Sequence, residues 1–200
     1  MRTDVRKTRN SICLALLGLI DEKPYDDISI REIVARADVS RSSFYNHFTK
    51  KDDVIYMIID KLCDRISGRD EYNDREKFDR RYLIDARFKF IDYCLSRRDD
   101  IMRIYKSGFG PEFERVAREK IYEVRSTFEY EYIDENGKVA LLSEGDLYEI
   151  KTWTSVHETV SVIKILFSKF PYVTSEEFDK MIEKARQMDM TGNFYKKKNQ

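Results

Sequence analysis

Arg41, Ser42, Ser43, Tyr45, Asn46 and His47 stand close together between the apolar residues Val39, Phe44 and Phe48. Each of the six carries a hydrogen-bond donor. Arginine can give a bidentate pair to guanine and asparagine can do the same for adenine, each worth about 1–3 kcal/mol of discrimination between bases. Small serines suit close approach and water-mediated contacts. A helix that only packs on a core has no use for such a set. Phe44 and Phe48, aromatic at i and i+4, are assigned to packing rather than binding.

The surrounding elements position this set. Ser29 is followed three residues later by Glu32, the pairing of a capping box. A helix is expected from there to Ala37, with Ile30, Ile33 and Val34 inward and Arg31, Glu32 and Arg36 at the surface. Asp38-Val39-Ser40 reads as a turn, because Asp tolerates left-handed backbone angles, and Ser40 can cap a second, very short helix. Two short helices joined by a tight turn, the second exposing donors, is the plan of a helix-turn-helix whose second helix enters the DNA major groove. On periodicity alone, an ordinary surface helical hairpin remains the alternative.

The block REIVARADVSRSSFYNHFTKKDDVI resembles, nearly position for position, the DNA-binding signature of the TetR family of bacterial transcription regulators. The likeness includes the F-Y-x-H-F core and the lysine-rich start of the next helix. It covers the first quarter to third of the chain, and it departs at Asp38, where the family commonly has Gly. The resemblance implies an all-α fold: an N-terminal three-helix DNA-binding head, a connecting fourth helix, and a C-terminal helical body for ligand binding and dimerisation. Ser29, Tyr45, His47 and Lys51 match positions that commonly contact the DNA backbone in the family. Ser40, Arg41, Ser42, Ser43 and Asn46 lie on or beside the recognition helix, with Arg31 reaching over from the helix before it. A plain surface or capping histidine is the alternative for His47.

Lys and Arg total 37, as do Asp and Glu, so net charge does not argue for nucleic-acid binding. Locally, Arg2, Arg6, Lys7 and Arg9 face only Asp4, and Lys50-Lys51 opens the helix after the turn, so basic groups gather near the expected DNA face. No apolar run approaches the ~20 residues of a membrane span, and no signal segment is recognised, so a cytoplasmic protein is expected. Cys13, Cys63 and Cys94 are widely spaced in apolar helical contexts, which suits reduced buried thiols. No metal site or cofactor is expected, since His47 and His157 show no ligand spacing.

Along the chain, a first helix is expected from about Val5 to Glu22, with Ile12, Cys13, Leu16, Leu17 and Ile20 on one side, ended by Pro24. The expected division is residues 1–50 for the head, 51–67 for the connecting helix, 68–192 for the body and 193–200 for a solvated tail. The polar stretch Gly68 to Lys77 reads as the linker. Further helices are expected from Asp79 to Arg97, Ile101 to Tyr105, Glu112 to about Glu131, and Glu144 to Phe170. A last stripe follows with Phe178, Met181, Ile182, Ala185 and Met188. Asn136-Gly137 is a strong turn signal that permits a hairpin over Tyr130 to Leu142, but a helix end followed by a loop is favoured in so helical a chain.

The last two long helices could pair within the chain or with their copies in a second subunit. The resemblance implies the second, a homodimer binding a pseudo-palindromic double-stranded DNA operator. It also implies a small-molecule effector in the body, where Tyr93, Tyr105, Trp153 and His157 are the first ligand candidates. The alternative is a DNA-binding co-regulator or adaptor without a pocket, controlled by a protein partner. No phosphate-binding glycine loop and no nucleophile-histidine-carboxylate set is present, so catalysis is not expected. Repression and activation are both open.

Overall fold

The computed structural model describes residues 2–66, 92–126, 130–133, 136–169, 173–174, 176–178, 180–181 and 183–184. Helix α1 spans Arg2–Glu22, α2 Ile30–Ala37, α3 Arg41–Tyr45 and α4 Lys51–Ile66, with a 3-10 turn at Tyr25–Asp27 between α1 and α2. Residues 92–96 are helical. Next come α5 (Arg98–Lys106), α6 (Gly110–Arg125), strands β1 (Tyr130–Ile133) and β2 (Val139–Leu142), and α7 (Asp146–Lys169). Residues 67–91, which hold the expected linker and most of the helix expected from Asp79, lie outside the described residues, as do the tail, Phe170, Ile182, Ala185 and Met188.

The head is built as the apolar spacing requires. Ile12, Leu16 and Ile20 of α1, Ile33 of α2, Phe44 of α3, and Ile55 and Ile59 of α4 are fully buried against one another. Burying each such side chain contributes about 1.5–3 kcal/mol, so α3, only five residues long, is held by packing rather than by its own helix propensity. Glu22 at the end of α1 pairs with Arg36 at the end of α2.

In the body, α5 has Asp99 and Asp100 in its first turn and Arg103 and Lys106 in its last, matching the helix dipole at both ends. Ile101 and Ile104 of α5, Phe113, Ala117 and Ile121 of α6, and Val156, Val160, Ile163 and Leu166 of α7 form its core with Phe178. This core and that of the head form one buried cluster, and the Cys63 thiol of α4 is directed to the Phe113 carbonyl of α6 at 3.8 Å. Cys13, Cys63 and Cys94 are all buried free thiols. Among the described residues, no helix is long and apolar enough to cross a membrane.

One expectation is corrected. The Tyr130 to Leu142 stretch is a hairpin, with Tyr130 opposite Leu142 and Ile133 opposite Val139 in an antiparallel ladder. Gly137, at φ 75°, supplies the left-handed residue that a tight reversal needs. Helix α6 accordingly stops at Arg125, short of the expected Glu131. Among the described residues the fold is otherwise helical, as expected from the sequence.

Candidate nucleic-acid interface

Recognition geometry starts at Ser29. Its hydroxyl accepts from the Glu32 N–H at 3.3 Å, while the Glu32 carboxylate accepts from the Ser29 N–H at 2.9 Å and the Ser29 hydroxyl at 2.7 Å. The capping box is complete and fixes where α2 begins. Lys23 pairs with the same carboxylate, and this ammonium foremost, with the Ser29 donors, holds Glu32 down at about 2.

Asp38 closes α2 in the left-handed region, φ 53° and ψ 50°, its N–H directed to the carbonyls of Ala35 and Val34. Val39 N–H then reaches the Val34 carbonyl at 3.1 Å. The pairings satisfy free carbonyls at the helix end as a glycine cap does. Ser40 begins α3: its Oγ accepts from the Ser43 N–H at 3.0 Å and lies 2.9 Å from the Ser42 Oγ. Phe44 anchors the helix inward, 5.5 Å from the Phe48 ring.

The outward face of α3 carries the expected set. Arg41, Ser42, Tyr45 and Asn46 are exposed, and Ser43 and His47 are half-buried. The Arg41 guanidinium lies 5.9 Å over the Tyr45 ring. Arg31 on α2 is exposed and has no ion pair among the described residues. Ser29, Ser40 and Ser42 already hold local hydrogen bonds, so these serines first shape the backbone and have only their remaining lone pairs and rotations for DNA.

Lys51 has a different setting. Its Nζ donates to the carbonyls of Tyr25 at 2.6 Å and Ile28 at 2.9 Å and lies 4.1 Å from the centre of the Tyr25 ring. Tyr25 OH in turn donates to Asp52 Oδ1 at 2.7 Å. Burial, and then this carboxylate, raise the Tyr25 phenol well above its usual range. The start of α4 is thereby tied to the connection between α1 and α2. Lys50 is the exposed ammonium of the pair, with Asp52 at 3.6 Å. The carbonyl partners of Lys51 are distant in sequence, and only the adjacent lysines signalled that one of them would face outward.

Of the four ligand candidates, Trp153 and His157 meet, one turn apart on α7 with ring centroids 5.7 Å apart, while Tyr105 lies apart from them. Tyr105, near the end of α5, sets its ring against the amino-terminal end of α6, its OH donating to Glu114 at 3.1 Å. Trp153 stacks on Tyr122 at 4.5 Å near the other end of α6, about 13 Å along the helix from Phe113. His157 is exposed, with Nδ1 2.9 Å from the Trp153 carbonyl. Trp153 is itself 40% exposed, and Tyr93 is half-buried. A surface cleft of about 440 Å³ lies elsewhere, between Tyr56, Met57 and Asp60 of α4 and Glu112, Arg115 and Val116 of α6.

Residues 12–55 match the family described as bacterial regulatory proteins, tetR family. HTH-type transcriptional regulators of Staphylococcus aureus, strains USA300 and COL, are each 25% identical over 122 residues. These matches cover 56% of this chain and 66% of theirs. The crystal structure of a TetR transcriptional regulator from Streptococcus agalactiae 2603V superposes with a TM-score of 0.57 at 16% identity, over 92% of this chain and 96% of that one. The capped α2, the left-handed turn at Asp38 and the donor-bearing α3 thus fall inside the matched segment, and the chain carries the helix-turn-helix DNA-binding domain of the tetR family of bacterial regulatory proteins.

Proposed function

We propose that this protein is a homodimeric transcription repressor of the cytoplasm that binds a pseudo-palindromic operator and is released by a small-molecule effector held in its helical body. The observation that carries the DNA-binding part is α3, capped by Ser40 and anchored by buried Phe44, with Arg41, Ser42 and Asn46 outward. Arg41 and Asn46 read base edges, helped by Ser43 and Arg31. Tyr45, His47 and the exposed Lys50 serve phosphates, which position a protein without specifying sequence.

A homodimer follows from the reach of one head. Two recognition helices meet successive half-sites about 34–36 Å apart only when a symmetric partner sets their separation. Helix α7 supports this, since Leu147 is 61%, Ile150 63% and Ile165 44% exposed, at helical spacing on one side. Met181, in the segment after α7, is 40% exposed. The last two helices of two chains joined here form a four-helix bundle.

The test is selection of DNA from a random pool by the purified protein, followed by binding stoichiometry at two salt concentrations with unrelated DNA as competitor. Two chains per palindrome, with binding that survives moderate salt, is the expected outcome. A pool that never enriches sinks the reading.

A second reading draws on the outward placement of Trp153 and His157. If no small molecule raises the melting temperature, the exposed Trp153, stacked on half-buried Tyr122, favours control by a protein partner.

A further inference from the structure

Among the described residues, side chains join head and body at two places. One is α4, where Lys120 of α6 reaches Asp60 Oδ1 at 2.6 Å and also pairs with Asp64. The other is made by Arg103, Lys106 and Phe109, three residues apart at the end of α5 and in the loop after it. Arg103 gives Asp21 its fork, Nε at 3.0 Å from both carboxylate oxygens and Nη2 at 2.7 Å from Oδ2. Its Nη1 holds Asp100 at 3.1 Å. Lys106 Nζ reaches the Asp21 carbonyl at 3.3 Å. Phe109 sets its ring edge-on to Tyr25 at 5.1 Å and to Tyr56 at 5.6 Å.

All three residues grip neighbouring parts of the head, Arg103 and Lys106 the last turn of α1 at Asp21 and Phe109 the turn after it at Tyr25. Tyr25 is also the residue under the Lys51 ammonium and the donor to Asp52. The loop reaches this point because Gly108 adopts φ 86° and because Gly110 lets the chain pass Tyr105, where a Cβ would stand 2.4 Å from the ring. A head held by one helix can swing about that helix. A second attachment at a separate point removes the swing.

We propose that Arg103 and Phe109 are positioning residues that fix the head on the body, and so set the separation of the two recognition helices in a dimer, by holding the end of α1 and the turn after it. The inference rests on the regulator reading above and names its route: displacement of α5 by whatever binds the body reaches the DNA face through Asp21 and Tyr25, a contact separate from the Lys120 pairs on α4, and Tyr25 passes it on to Lys51 and Asp52 at the start of α4. A bidentate guanidinium on a carboxylate suits this use, because it fixes orientation as well as distance. Substitutions at Asp21 and Arg103 are mild for the core, since their side chains are 49% and 26% exposed, whereas Phe109 packs partly buried against it.

The experiment uses the full-length protein and the operator it selects, the same operator with its centre lengthened or shortened by one or two base pairs, and an isolated half-site. Each added pair moves one half-site by about 3.4 Å and turns it by about a tenth of a revolution. The wild-type protein is expected to lose on the order of tenfold in affinity per altered pair, because the second head no longer arrives in register. Asp21→Asn, Arg103→Ala and Phe109→Ala should keep half-site affinity within about twofold, yet lose only about threefold on altered spacings. Variants that retain the wild-type spacing profile overturn the proposal. So do variants that lose half-site and full-site binding in proportion, which is the signature of a merely structural role. If the wild-type protein selects no palindrome, the regulator reading fails, an outcome separate from any difference among variants.

Discussion

The Lys51 ammonium donates to the Tyr25 carbonyl at 2.6 Å while lying 4.1 Å from the centre of the same residue's ring. One side chain thus ties the start of α4 to the turn that precedes α2. Lys51→Met leaves the Tyr25 and Ile28 carbonyls without this donor, and about 1–3 kcal/mol of stability should be lost. Urea unfolding measures it; a variant with the wild-type midpoint and slope removes the tether from the account of the head.

His47 and Asn46 are adjacent in sequence and separate in role. His47→Ala should weaken every DNA sequence alike and reduce the dependence of log affinity on log salt, by up to about one unit for a full ionic phosphate contact. Asn46→Ala should instead cost about 1–3 kcal/mol on the selected operator and relax the preference at one base pair, with the salt slope unchanged. Titrations of operator and scrambled DNA at several salt concentrations separate the two. A His47 variant that shifts base preference alone refutes its assignment.

Glu32 gives the head an acid dependence of defined sign. Its carboxylate is held at about 2, first by Lys23 and then by Ser29, against an ordinary value of about 4.3. The folded value lies below the unfolded one, so the stabilisation is complete above about 4.3 and is lost as pH falls through about 2. Glu32→Gln should show a flatter decline in melting temperature over that window than the wild-type protein. Parallel declines in both proteins argue against the pairing.

Ser29, Glu32, Asp38 and Ser40 were legible in the sequence because capping and turn chemistry act within a few residues. The structure places Ser29 and Ser40 at the helix starts assigned to them. Phe44 and Phe48 were legible by their spacing. The hairpin was not, because the local Asn136-Gly137 signal stands in a chain that is helical elsewhere, whereas Tyr130–Leu142 pairing is decided between residues on either side of the turn. The settings of Lys51, Arg103 and Phe109 were hidden for a related reason: their partners lie in distant parts of the chain. Periodicity marked Trp153 and His157 as members of a long helix without showing which of its sides the body covers.

The exposed side of α7 offers the last prediction. Leu147→Glu with Ile150→Glu should leave the chain folded, since both positions are over 60% exposed. It should also place like charges in the proposed dimer interface. Sedimentation equilibrium is expected to show monomers where the wild-type protein gives dimers, and operator affinity should fall by on the order of a hundredfold as bivalent binding is lost. Dimers of unchanged strength would move the interface elsewhere.

The three thiols described above are also a clock built into the molecule. Burial pushes Cys63 up to about 12 and raises Cys13 and Cys94, so each is withheld from water and held as unreactive thiol rather than thiolate. Cys13 lies in the head, Cys63 in the helix leaving it, and Cys94 in the body. An alkylating reagent therefore finds them only as those regions open, and the order in which they are marked tells which part of the protein breathes first.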